Sequence, residues 1–227
     1  MRNAKISEIF KSVQGEGKYV GVTQVFVRFD ACNIDCVWCD TKGGSKENIK
    51  EYSTNEAFKE ISNLVHGCHS VSLTGGEPLL CKDFLSDLLA EMKLAKMKSY
   101  LETNGTLCEE LQGVIDNLDI ISMDFKLPSS AKTKDFWSEH KEFLKIASRK
   151  QVFIKAVISK ETSIEDIEKS VDIIKKVDSG LTFILQPNYF QMKDGAIDKC
   201  VEFKDYCIKS LNDVRIIPQM HKILGLR

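Results

Sequence analysis

The chain has 227 residues, enough for one sizeable domain with a real core and too few for a second independent one. Its 32 basic and 33 acidic residues nearly cancel and the lysines are scattered, so neither a nucleic-acid backbone nor an anionic membrane is advertised as a partner. Eight cysteines, the lack of any transmembrane run and a start that carries Arg2, Lys5 and Glu8 in place of an apolar export segment point to a reducing compartment and a cytoplasmic protein.

In chain order, Gln14-Gly15-Glu16-Gly17 pairs an amide and a carboxylate with two flexible residues, a cradle for a polar heterocycle or an ordinary loop. A strand follows at 25–29. Its alternation puts Arg28 on the face of Phe26 within an otherwise apolar run, where the guanidinium needs a partner. A substrate carboxylate held bidentately would serve, and so would an internal carboxylate. Ser53 and Glu56 have capping-box spacing ahead of Ala57, Phe58, Ile61 and Leu64, which starts a helix. From residue 70 onward β-branched runs alternate with helical periods. Strands are predicted at 70–74, 99–102, 120–125, 152–158, 181–186 and 214–218, and helices at 84–97, 134–147, 164–177 and 197–211. The pattern is that of β/α units around a parallel sheet in a single domain, with no repeat or linker to divide it.

The polar clusters fall at one place in this pattern. Residues 74–78, 102–105, 124–126, 186–188 and 219–221 all sit at the carboxyl end of a predicted strand, the end where parallel barrels assemble active sites. One large pocket is expected there. Cys200 and Cys207 lie beside apolar neighbours on a predicted helix and read as core, and His221 alone is ambiguous.

The most informative stretch is Cys32-x3-Cys36-x2-Cys39, with Trp38 before the last cysteine and Asp40-Thr41 after it. Three close thiolates suit a 4Fe-4S cluster and leave one iron without a protein ligand. The alternative is a structural zinc site, which needs a fourth ligand from Cys68 with His66 or His69, from Cys81 or from Cys108. Asp40 and Thr41 offer hard oxygen ligands that suit Mg2+, or a helix cap.

The cysteine hook, followed downstream by Gly75-Gly76-Glu77-Pro78, resembles the radical S-adenosylmethionine (radical SAM) superfamily. The run from Glu8 to Gly17, the Phe26-Val27-Arg28-Phe29 strand, Cys36-Val37-Trp38-Cys39-Asp40-Thr41 and the segment from Arg215 to Lys222 resemble, within it, the 7-carboxy-7-deazaguanine synthase family of queuosine and deazapurine biosynthesis. The resemblance implies a partial (β/α) barrel with mostly parallel strands, one core domain over residues 1–227 with substrate-binding extensions at both termini. It implies a 4Fe-4S cluster on Cys32, Cys36 and Cys39, and Mg2+ on Asp40 and Thr41. It assigns Gly76, Glu102, Ser122, Asp124, Lys126, Gln186 and Pro187 to S-adenosylmethionine, and Val13, Gln14, Gly15, Glu16, Arg28, Thr74, His221 and Arg227 to a pterin substrate. The implied reaction is a lyase reaction: a 5'-deoxyadenosyl radical removes hydrogen from C6 of 6-carboxy-5,6,7,8-tetrahydropterin, the ring contracts to 7-carboxy-7-deazaguanine, ammonia leaves and the cofactor is regenerated. A flavodoxin- or ferredoxin-type electron donor and a homodimer are expected by the same analogy. Two other readings remain: a glycyl-radical activating enzyme of the same superfamily, and a zinc-stabilised binding module without enzymatic activity.

Overall fold

The computed structural model of the chain describes residues 2–39 and 49–226. Strand β1 (Asn3–Val13) opens the chain, where the sequence predicts none. A register shift between Ile6 and Glu8 breaks its period-two pattern, so Ile6 and Ile9 are both buried and the alternation that would reveal a strand is lost. Strands β2 (Thr23–Phe29) and β3 (Lys50–Ser53) pair beside it, and helix α1 (Thr54–Leu64) starts at the expected capping box, with the Glu56 carboxylate accepting from the Ser53 amide at 2.9 Å.

From there strand and helix alternate as predicted: β4 (Ser70–Gly75), α2 (Lys82–Leu94), β5 (Ser99–Thr103), α3 (Cys108–Val114), β6 (Ile120–Phe125), α4 (Pro128–Ala131), α5 (Trp137–Ala147), β7 (Gln151–Ile158), α6 (Ile164–Val177), β8 (Phe183–Pro187), α7 (Ile197–Cys207), β9 (Val214–Ile216) and α8 (Met220–Leu224). The predicted helices at 84–97 and 197–211 run too far. The first stops at Leu94, and Lys96 then turns to φ +57; the second stops at Cys207. Helices α3, α4 and α8 are absent from the sequence reading, being too short to show a period.

All nine strands join one sheet in the order β3-β1-β2-β4-β5-β6-β7-β8-β9, parallel from β2 to β9 and antiparallel only where β1 meets β2 and β3. The sheet curls without closing, with β3 and β9 as its edges, so the fold is the expected partial barrel with an antiparallel extension. Its two faces have different chemistry. Outward residues such as Val27, Leu73, Leu101, Ile121, Ile154 and Leu185 pack under the helices with Phe84, Leu88, Phe143 and Ile174, and Cys200 and Cys207 lie in this layer as expected. Each fully buried side chain of this kind stabilises the fold by about 1.5–3 kcal/mol. The inward face begins with an apolar floor of Tyr100, Ile120, Phe153 and Ile184, closed by Tyr19 and Ile217. Farther along the inward face it carries Thr74, Glu102, Asp124, Lys155 and Gln186, and these polar side chains face a cavity instead of a core, with Ser122 buried in the wall beside them.

Candidate active site

A cavity of about 400 Å³ opens at the carboxyl ends of the parallel strands. Strand register places its wall: Arg28 pairs with Thr74 across β2 and β4, Glu102 with Ser122, and Asp124 with Lys155. Cys32, Cys36 and Cys39 line it, as do Val13, Gln14, Gly15, Glu16, Arg28, Thr74, Gly76, Glu102, Asp124, Lys126, Gln186 and His221. The residues assigned by resemblance thus converge on one space, with two exceptions among the described residues. Ser122 is buried in the wall and Pro187 ends β8, and neither lines the cavity. Asp40, Thr41 and Arg227 lie outside the described residues.

The cysteine loop is held on both sides. Gly76 donates to the Phe29 carbonyl (2.9 Å) and Glu77 to that of Ala31 (2.7 Å), while Val37 donates to the Ala131 carbonyl (3.1 Å) and the Trp38 indole to that of Ser130 (3.0 Å). The approach is so close that a Cβ on Gly76 would lie 2.0 Å from the Ala31 carbonyl oxygen, which explains the glycine in physical terms. Burial pushes the Cys36 thiol up to about 11, and the neighbouring Lys126 ammonium, 4.8 Å from the Trp38 ring, opposes that shift.

Three cysteines and no fourth line the cavity among the described residues, the donor set for a cluster with one open iron. The alternative zinc ligands lie elsewhere. His66, Cys68 and His69 precede β4, at the opposite end of the sheet, and Cys81 and Cys108 pack against the helix-covered core. Two buried acceptors on the cavity wall, Asp124 Oδ1 and Gln186 Oε1, have no hydrogen-bond partner among the described residues, which suits a bound molecule rich in donors.

Behind the cysteine loop, Glu77 is a structural hub. Its carboxylate accepts from the Asn104 amide (2.7 Å), the Leu79 amide (3.1 Å) and the Thr103 hydroxyl (2.9 Å), and burial raises it to about 7. Asn104 in turn donates through its side chain to Asn33 of the cysteine loop (2.8 Å) and accepts at its carbonyl from His140 Nε2 (3.1 Å). His140, stacked on Phe125 with ring centroids 4.7 Å apart, is lowered by burial to about 4 and is neutral at physiological pH.

On the other side, the Gln14–Gly17 loop meets the chain's end. Met220 donates to the Gly15 carbonyl (2.9 Å), and a Cβ on Gly15 would fall 2.5 Å from the His221 side chain, so only glycine lets the two segments touch. The Gln14 amide group is engaged inside the protein: its nitrogen donates to Gln24 and Glu102 (both 2.9 Å) and its oxygen accepts from the Glu16 amide (3.0 Å). Glu102 accepts also from Ser72 (3.0 Å) and Thr74 (3.1 Å). Arg28, read as needing an anionic partner, pairs with Glu8 at 2.9 Å while its guanidinium lies 5.4 Å from the Phe10 ring, so the internal pair is formed and the side chain still lines the cavity. Sequence reasoning placed Gln219 in the 219–221 cluster without a role and gave none to Glu8 or Lys155, although a lone lysine inside the apolar run 152–158 is the same signal that singled out Arg28.

A partial barrel whose strand ends gather three cysteines around a cofactor-sized cavity defines a class, and comparison agrees: the Radical SAM superfamily model matches residues 26–185, and the chain belongs to that superfamily. The 7-carboxy-7-deazaguanine synthase of Geobacter sulfurreducens is 37% identical over 98% of this chain and 97% of its own length. That of Thermoplasma acidophilum is 35% identical over 96% of each. The crystal structure of QueE from Escherichia coli superposes with a TM-score of 0.69 over 96% of this chain and 95% of that one at 23% identity, a likeness of fold. Within the superfamily, the chain belongs to the 7-carboxy-7-deazaguanine synthase family.

Proposed function

We propose that the chain is a 7-carboxy-7-deazaguanine synthase, a radical SAM lyase that converts 6-carboxy-5,6,7,8-tetrahydropterin to 7-carboxy-7-deazaguanine with loss of ammonia. The observation that carries this reading is that a three-cysteine rim and a Glu16–Arg28–His221 wall share one cavity. Cys32, Cys36 and Cys39 would hold the 4Fe-4S cluster. When bound, cluster and S-adenosylmethionine supply one-electron, hydrogen-abstracting chemistry.

The chain's own residues bind, orient and exclude. Asp124 and Gln186 offer unmatched acceptors to the donors of S-adenosylmethionine, and Lys126 is a cation for its carboxylate. Arg28, Glu16 and His221 face the pterin, with Arg28 set to receive its carboxylate. The terminal segments act as substrate-binding extensions of the core domain, supported by the docking of Met220 on Gly15. The apolar floor and the Tyr189–Phe190 pair at the cavity wall restrict water access. Mg2+ on Asp40 and Thr41, a flavodoxin- or ferredoxin-type donor and a homodimer complete the reading. A cytoplasmic location fits the eight cysteines, none in a disulfide; no described helix is long and apolar enough to cross a membrane.

Anaerobic incubation of the reconstituted protein with the carboxypterin, S-adenosylmethionine and a reductant is expected to yield 7-carboxy-7-deazaguanine and ammonia, followed by mass spectrometry. Cofactor cleavage without the deazaguanine acid would reject the substrate assignment and return the glycyl-radical activating alternative.

A further inference from the structure

Lys155 is used by nothing above. It stands on β7 between Ile154 and Ala156, with its side chain 10% exposed, and points inward over the Phe153 floor. A buried ammonium costs several kcal/mol unless it is paired. Here its Nζ lies 2.6 Å from Glu16 Oε2 and 3.3 Å from Asp124 Oδ2. The second oxygen of Glu16 accepts from Gln219 Nε2 at 2.7 Å, so a strand and the C-terminal segment each grip one oxygen of a carboxylate on the 14–17 loop.

We propose that Lys155 is a positioning residue for substrate selection: together with Gln219 it fixes the Glu16 carboxylate as a pair of parallel acceptors that reads two adjacent N–H donors, as on the 2-amino-4-oxopyrimidine edge of a pterin. The inference rests on the functional reading above. Its geometry does not. An ionised carboxylate has about four acceptor positions. One on each oxygen is taken by the protein, and Glu16 lines the cavity, so one on each oxygen is left for a ligand with paired donors.

The charge environment gives the test. Burial raises the Glu16 pKa, but Lys155 overcomes it with help from the Gln219 and Lys155 hydrogen bonds and the charge of His221, and the carboxyl is held down to about 2. Around this pair stand Asp124 from β6, Lys126 just beyond that strand, and Tyr100 and Glu102 from β5, none of which is a second cation in contact with Glu16 among the described residues. Without Lys155, burial prevails and Glu16 titrates upward. A protonated Glu16 presents a hydroxyl donor to the ligand's own donors.

The experiment measures binding of 6-carboxy-5,6,7,8-tetrahydropterin and of its analogue lacking the 2-amino group, by anaerobic calorimetry on cluster-loaded protein with S-adenosylmethionine, from pH 5.5 to 8. Wild type and Lys155→Arg are expected to share one pH profile, in which His221 sets any slope, and to prefer the 2-amino compound. Lys155→Met is expected to bind the pterin about tenfold or more weakly at pH 5.5, to recover as pH rises, and to lose preference between the two compounds. Gln219→Leu, outside the sheet, keeps the Lys155 charge and tests orientation, so it is expected to lose preference with the pH profile of wild type. If Lys155→Met does not fold, Lys155→Arg and Gln219→Leu decide: a Gln219→Leu protein with undiminished preference, or a Lys155→Arg protein with a pH slope steeper than wild type, overturns the inference. A Lys155→Met profile parallel to wild type overturns it alone, whereas wild type that binds no pterin overturns the functional reading with it.

Discussion

Glu77 and His140 hold opposite sides of Asn104, one at its amide and one at its carbonyl, and their titrations oppose each other. Glu77 is raised from 4.5 to about 7 by burial, so its folded form binds a proton more readily than the unfolded chain and stability falls as pH rises through that window. His140 is lowered from 6.5 to about 4, also by burial, so the unfolded chain takes the proton first and stability rises with pH through its window. Between pH 4.5 and 6.5 each contributes about 2 kcal/mol, with opposite sign, and the wild type shows almost none of it. His140→Phe keeps the stack on Phe125 and removes one term; Glu77→Gln removes the other and turns an NH2 toward a backbone N–H, a fixed cost of about 1–3 kcal/mol. Urea unfolding of the metal-free protein at pH 4.5, 5.5 and 6.5 reads both. The stability gap between wild type and His140→Phe is expected to widen by about 2 kcal/mol as pH rises, and the gap for Glu77→Gln to narrow by as much. Three parallel curves would refute the assignment of these two groups.

Three further substitutions test the cavity. Gly76→Ala places a Cβ 2.0 Å from the Ala31 carbonyl oxygen, so the cysteine loop must shift by about 1 Å, at about 1–3 kcal/mol; reduced iron incorporation and a lowered unfolding midpoint are expected, and unchanged values for both would contradict the close approach. Cys36→Ala is expected to abolish the brown chromophore and cofactor cleavage together, and retained cleavage would remove Cys36 from the cluster. Arg28→Ala deletes the cavity-facing guanidinium and its 2.9 Å pair with Glu8; pterin affinity is expected to fall about tenfold to a hundredfold while uncoupled cofactor cleavage persists, and unchanged affinity would take Arg28 out of the substrate wall.

The sequence by itself determined the β/α order from residue 70 onward, because local periodicity and the Ser53–Glu56 cap are written in neighbouring residues. It pointed to the cysteine chemistry too, since the three thiols fall within eight residues, but only the fold, which keeps His66, Cys68, His69, Cys81 and Cys108 away from the cavity, separated the cluster reading from a zinc site. It could not show β1, whose bulge breaks the alternation, nor the short helices α3, α4 and α8. Above all, only the tertiary structure decided which charges meet. Arg28 with Glu8, Glu77 with Asn104, and Glu16 with Lys155 and Gln219 are pairs set by sheet register and by the return of the C-terminal segment to the 14–17 loop. A buried charge requires a partner by electrostatics alone, but which residue supplies it depends on contacts between positions as far apart as 16 and 219, and local pattern carries no record of those.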